Sequence, residues 1–188
     1  DNEHPSADHV DAKFQLTDAI VSSVFTTNCG NFAWYVSSYT EQLFGCGNNQ
    51  LKNAEVRSIN ETASSGTFNN EWDGTYLALN NIQQMINKCE NGANAGQLDL
   101  LGMSQVLAAY NWGIMTDTFG DIPCSEAFHT SAPKVDSQES IYNNIYALLD
   151  AAIKNLEDAS NSRMNNAGSQ DVLFNGNCKQ WCGLAHAL

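Results

Sequence analysis

Basic residues are scarce in this chain: 8 lysines and arginines stand against 21 acidic residues, a formal charge of -13. A polyanion would meet a repulsive field, so nucleic acid is not expected as a partner, and an anionic lipid surface is disfavoured for the same reason. Long apolar runs are missing too. None approaches the roughly 20 residues that cross a bilayer as a helix, so a membrane role would need a lipid or a partner. The start has no charged segment followed by an apolar one, and no signal peptide is read there. Residues 1–10 are instead expected to be a polar tether. Strand-like alternation is nearly absent, and Gly-x-Ser-x-Gly, phosphate-loop, dinucleotide-binding and His-Glu-x-x-His motifs do not occur.

What is present reads as a folded helical domain. Hydrophobic residues make up 43% of the chain, which excludes a disordered or collagenous polymer. Apolar residues Phe14, Ala19, Ile20 and Val24 give a loose helical period over about 11–25. A second segment runs from Phe32 through Trp34, Tyr35, Val36 and Tyr39 to Leu43 and Phe44, and stops at Gly45. A polar stretch to about Gly66 reads as a surface loop with at most a short helix. Helices follow over about 68–90, with Trp72, Tyr76, Leu79, Ile82 and Ile86 on one stripe, and over about 97–116. Asp136-Ser137-Gln138-Glu139 reads as a capping box with Asp136 as the cap. From Ile141 to Leu156 an apolar stripe then keeps helical spacing. An Asn/Ser/Gly-rich link leads to a last helix beginning near Asn177. That helix is still running at Leu188, which suggests one domain over 1–188 cut from a longer chain.

Six cysteines (Cys29, Cys46, Cys89, Cys124, Cys178, Cys182) allow 15 pairings, so any bridge is left open against buried free thiols. Cys178, Cys182 and His186 share a helix face, but two helical turns spread them too far for one ion, so a packing face is preferred and no metal is expected. Asp117, Asp121 and Glu126 crowd a Gly/Pro turn. A calcium site or a glycosidase pair is conceivable from such acids, yet turn capping explains them more simply. Asn60-Glu61-Thr62 would accept an N-glycan only in a eukaryote. The cluster around Trp34, Tyr35 and Tyr39, with Asn31, Gln42, Asn48 and Asn49 nearby, is the best ligand candidate. Aromatic faces stack on sugar C–H faces while amides take hydroxyls; the alternative is that these rings fill a core.

One ordered series is more specific than any of these. Trp72-Asp73-Gly74-Thr75-Tyr76 with Leu79-Asn80-Asn81-Ile82 is followed by Asp117-Thr118-Phe119-Gly120-Asp121-Ile122-Pro123 and Ser125-Glu126-Ala127-Phe128. Asp136-Ser137-Gln138-Glu139, Ile141-Tyr142, Leu149-Asp150-Ala151-Ala152-Ile153 and Asp171-Val172-Leu173-Phe174-Asn175-Gly176-Asn177 continue it to Trp181. This series, from about Trp72 onward, resembles the SusD/RagB-like nutrient-binding outer-membrane lipoproteins of Bacteroidetes. The resemblance implies a mainly α fold with tetratricopeptide-like helix pairs and little or no β structure. It implies binding without catalysis or cofactor: a surface protein, held in the outer membrane by a lipid anchor, that takes an oligosaccharide or peptide and hands it to a SusC-like TonB-dependent transporter. A fragment of a secreted glycoside hydrolase and a purely structural helical scaffold are the other readings.

Overall fold

A computed structural model describes residues 10–27, 29–47, 49–57 and 68–188. The tether over 1–10, apart from Val10, lies outside the described residues, as does Asn60-Glu61-Thr62. Seven helices are described: α1 (Ala12–Thr27), α2 (Asn31–Tyr39), α3 (Asn49–Glu55), α4 (Asn69–Asn91), α5 (Leu98–Phe119), α6 (Gln138–Asn161) and α7 (Cys178–Ala187). The only extended pairing among the described residues is an isolated antiparallel bridge between Ile122 and Asp136. The chain divides into two compact units, Asp1–Val21 with Ala78–Leu188, and Ser22–Leu77.

In the larger unit α5 is the axis. Every residue from Asp99 to Ala109 is buried, so this helix is covered all round rather than on one stripe. Gly102 allows the closest approach: a Cβ there would lie 2.6 Å from Leu156 Cγ of α6. At the other end, the Gln138 amide donates to Thr116 O, while the Asn155 amide donates to Gln105 Oε1. These contacts at opposite ends make α5 and α6 an antiparallel pair. α6 buries Ile141, Ile145, Leu149, Ala152 and Leu156, the stripe its sequence shows. α7 adds Cys178, Trp181 and Ala185 to the core.

The first part of α1 buries Ala19 and Ile20 of the stripe its sequence suggests, but not Phe14. Leu16, Ala19 and Ile20 are buried, while Phe14 is 55% exposed. Two residues from Leu16 is about 200° around a helix, so both cannot face one core. Polar ties fix this segment: Asn94 Oδ1 accepts from Ala12 N, and buried Lys88 donates to Val10 O and Gln15 Oε1.

The smaller unit contains α2 and α3. α2 ends at Tyr39, earlier than the apolar run suggests. Thr40 Oγ1 donates back to Val36 O, and Glu41 takes a left-handed φ of 61°, which turns the chain out of the helix. Leu43 and Phe44, expected to continue the stripe, are exposed. Trp72 and Tyr76 of α4 are half-buried with rings 4.9 Å apart, whereas Trp112 of α5 is buried.

Candidate functional site

Two places were marked by sequence: the aromatic helix α2 and the acidic turn after α5. In α2, Phe32, Tyr35 and Ser38 are buried, following a three-residue step along one face. Their anchor is Phe68, just before α4. Its ring lies 5.6 Å from Phe32, 4.8 Å edge-on from Tyr35 and 6.2 Å, stacked, from Tyr39. Burial raises the Tyr35 hydroxyl above its usual range, with Glu71 and Tyr39 adding to the effect. Trp34 sits one residue from Tyr35, about 100° around the helix, and is 50% exposed. Of the three candidate residues, Tyr35 and Tyr39 therefore meet on Phe68, while Trp34 presents its indole outward. Asn31 is half-buried and Gln42 exposed. Asn48 and the Asn49 side chain lie outside the described residues.

The acids at this turn accept hydrogen bonds from a side chain of α6 and from backbone. The Tyr142 hydroxyl donates to Asp117 Oδ1. Asp121 Oδ1 accepts from Gln138 N at the start of α6, and Glu126 Oε2 accepts from Lys134 N. The expected capping box is corrected here. Ser137 is the N-cap, its hydroxyl accepting from Ser140 N, and Asp136 is drawn away to the preceding turn. Its carboxylate accepts from Cys124 N at 3.1 Å and Ser125 N at 2.7 Å, and from the Ser125 hydroxyl at 3.0 Å. Burial raises the Asp136 carboxyl, but the Ser125 and Cys124 hydrogen bonds and nearby Lys134 outweigh that and hold it below the usual range. Gly120, with φ 76°, closes α5 by donating to Thr116 O.

Residues 9–188 match the SusD-like family described as starch-binding and associating with the outer membrane. The chain belongs to that family. A crystallised SusD/RagB family protein from Bacteroides thetaiotaomicron VPI-5482 superposes on it with a TM-score of 0.83 at 41% identity, over 94% of this chain and 36% of the other. A chitin-binding SusD homologue from Flavobacterium johnsoniae gives a TM-score of 0.63 at 19% identity, over 90% and 36%, a likeness of fold. The chain thus spans about a third of each solved relative (36%). Comparison with curated proteins gives no match. The mainly α, SusD-like scaffold expected from the ordered series is the fold observed.

Within this SusD-like scaffold, no three metal-ligating side chains gather among the described residues. On α7, Cys178 is buried, Cys182 half-buried and His186 exposed, so the three face different surroundings. All six cysteines are free thiols. No described helix is long and apolar enough to cross a membrane.

Sequence reasoning missed two features. Buried Asp171 accepts from the backbone N–H groups of Leu173, Phe174 and Gly176 and from Trp181 Nε1 at 2.7 Å. Beside it, the Asn-rich link between α6 and α7 forms walls of open hollows rather than a bland linker. The repeated asparagines (Asn161, Asn165, Asn166, Asn175, Asn177) were the signal available.

Proposed function

We propose that this chain is part of a cell-surface glycan-binding protein that delivers oligosaccharides to a TonB-dependent outer-membrane transporter, and that Trp34 is a stacking face for the sugar. One observation carries the site: the indole of Trp34 is half-exposed on a short helix that is held, through Tyr35 and Tyr39, onto Phe68. A rigid aromatic surface loses little conformational freedom when a sugar ring settles on it, so stacking energy is retained as affinity. In this reading Tyr35 and Tyr39 position Trp34, and Asn31 and Gln42 are the nearby amides for hydroxyls.

The reading is binding without bond cleavage. Asp117, Asp121 and Glu126 accept from Tyr142, Gln138 and Lys134, which supports a holding role for these acids. A family described as starch-binding supports a neutral glucan as the first probe. Titration of the protein with maltooligosaccharides and chitooligosaccharides should give a saturable calorimetric signal and a change in tryptophan fluorescence. Trp34→Ala should weaken oligosaccharide binding about twofold to tenfold, the size of one stacking contact of about 0.5–1.5 kcal/mol, with helix content unchanged. Unaltered affinity would remove Trp34 from the site, and release of reducing ends from the polysaccharide would overturn binding without catalysis. Capture of a transporter by the tagged, membrane-assembled protein tests the delivery step.

A further inference from the structure

Because cations are few, their placement is informative. Lys13, Arg57 and Lys134 pair with Asp11, Glu41 and Asp136. Lys88 is buried, donating to Val10 O and Gln15 Oε1. Among the described residues no ion pair holds Lys52, Lys154, Arg163 or Lys179, and of these four Arg163 and Lys179 line hollows where α6 ends and α7 begins. One, of about 290 Å³, is walled by Ser160, Arg163, Asn165, Asn175 and Asn177, with no carboxylate in its lining. The other, of about 360 Å³, is lined by Glu157, Asn161 and Lys179; Ser160 and Cys178 line both, so the two adjoin.

The wall is held in shape. Arg163 and Asn175 have left-handed φ values of 56° and 51°, and Asp171 fixes the segment between Leu173 and Gly176 by three N–H bonds. Asn165 Oδ1 accepts from Gly168 N at 3.1 Å. A Cβ at position 176 would lie 1.9 Å from that oxygen, so glycine is what lets the amide occupy the wall. The end of α7 is not what makes the hollow cationic, because Asn177 Oδ1 already accepts from Lys179 N and Gln180 N.

We propose that these joined hollows are a subsite for a sugar bearing an oxyanion, a uronate carboxylate or a sulfate ester, with Arg163 taking the charge. The proposal rests on the glycan-binding reading above and narrows its substrate class. A guanidinium presents parallel N–H donors that fit a carboxylate or sulfate edge-on, and the asparagine amides and Ser160 supply donors and acceptors for ring hydroxyls. Lys179 offers a second positive charge to the next acidic residue of an oligosaccharide. In a chain of net charge -13, a negatively charged sugar is repelled by most of the surface, so this hollow sets where its charge comes to rest.

The test titrates wild type, Arg163→Asn/Lys179→Gln and Trp34→Ala with tetragalacturonate, a sulfated galactan tetrasaccharide and maltotetraose. Asparagine is chosen at 163 because it tolerates a left-handed φ. At least one acidic tetrasaccharide should bind wild type and lose tenfold or more in affinity in the double variant, with maltotetraose unchanged. The arm that responds separates carboxylate from sulfate. Affinity of wild type for it should also fall as salt rises, a readout that needs no variant, and Lys179→Gln alone should show a smaller loss if the double variant unfolds. Equal acidic-sugar binding by wild type and double variant would overturn the subsite. Maltotetraose binding that depends on Trp34, with neither acidic sugar bound, would overturn the subsite and leave the glycan reading standing. No binding of any of the three would overturn both.

Discussion

The connection from α5 to α6 and the connection from α6 to α7 are built around the same device and end in different states. Each is organised by one buried aspartate, Asp136 in the first and Asp171 in the second, whose oxygens collect N–H donors from the local turn. In the first, the remaining acids are also used, since Asp121 and Glu126 accept from Gln138 N and Lys134 N. In the second, Arg163, Asn165 and Asn175 line open space. A buried aspartate is thus a folding element in both, and the polar groups it does not need are the ones available to a ligand. Density of acids in a sequence points to architecture here, while a scarce cation beside a hollow points outward.

The comparison is broken most severely at Asp171. Asp171→Ala removes the acceptor of four donors, three from backbone and one from the fully buried Trp181. Each buried donor left without a partner costs about 1–3 kcal/mol, partly relieved by relaxation, so the loss should reach about 3–5 kcal/mol. Urea unfolding followed by circular dichroism checks this; a loss below about 1 kcal/mol would show that the segment holds without its aspartate.

Asp136 should give the next largest effect, about 2–3 kcal/mol for Asp136→Ala, because it holds Cys124 N and both donors of Ser125. It also sets a pH dependence. Its folded carboxyl is depressed below the ordinary value of 3.8, so the folded state favours the charged form. The stability it contributes is complete above about pH 4 and is lost as pH falls through the folded value. Asp136→Asn should flatten the acid side of the stability curve below about pH 4 relative to wild type. An unchanged slope would mean that its hydrogen bonds do not discriminate between the protonated and charged forms.

Much of this architecture is legible in the sequence because it is local. The stripe from Ile141 to Leu156, the start of the last helix near Asn177 and the break at Gly120 are set by neighbours within a turn or two, and those helices lie where the periodicity puts them. What is not legible depends on distant partners. Asp136 and Ser137 are both competent caps, and only the approach of Cys124 and Ser125 draws the aspartate away and leaves the serine in its place. Phe14 looks like a core residue until Leu16 is seen to own that face. Trp34 and Tyr35 are adjacent aromatics in sequence, and their different exposure follows from Phe68, more than thirty positions away. Arg163 sits in an Asn/Ser-rich string that composition reads as linker.

The smallest effect, and the finest discrimination between the two connections, is chemical. Each has a buried thiol, Cys124 within the first and Cys178 opening α7 at the end of the second, and burial pushes both up to about 11. At pH 8 about one such thiol in a thousand is the reactive thiolate, so both should alkylate far more slowly than exposed Cys29 and Cys46 in the native protein, with no change in stability. Their secondary causes differ. For Cys124 the charge of Asp136 comes next after burial and raises the value, while the Asn144 amide lowers it. For Cys178 the charge of Asp99 comes next after burial. Asp136→Asn should therefore speed iodoacetamide labelling of Cys124, read by peptide mass spectrometry under native conditions, and leave Cys178 at its wild-type rate. Equal acceleration at both would mean that the substitution loosens the whole unit, and the two connections would then not be separate folding elements.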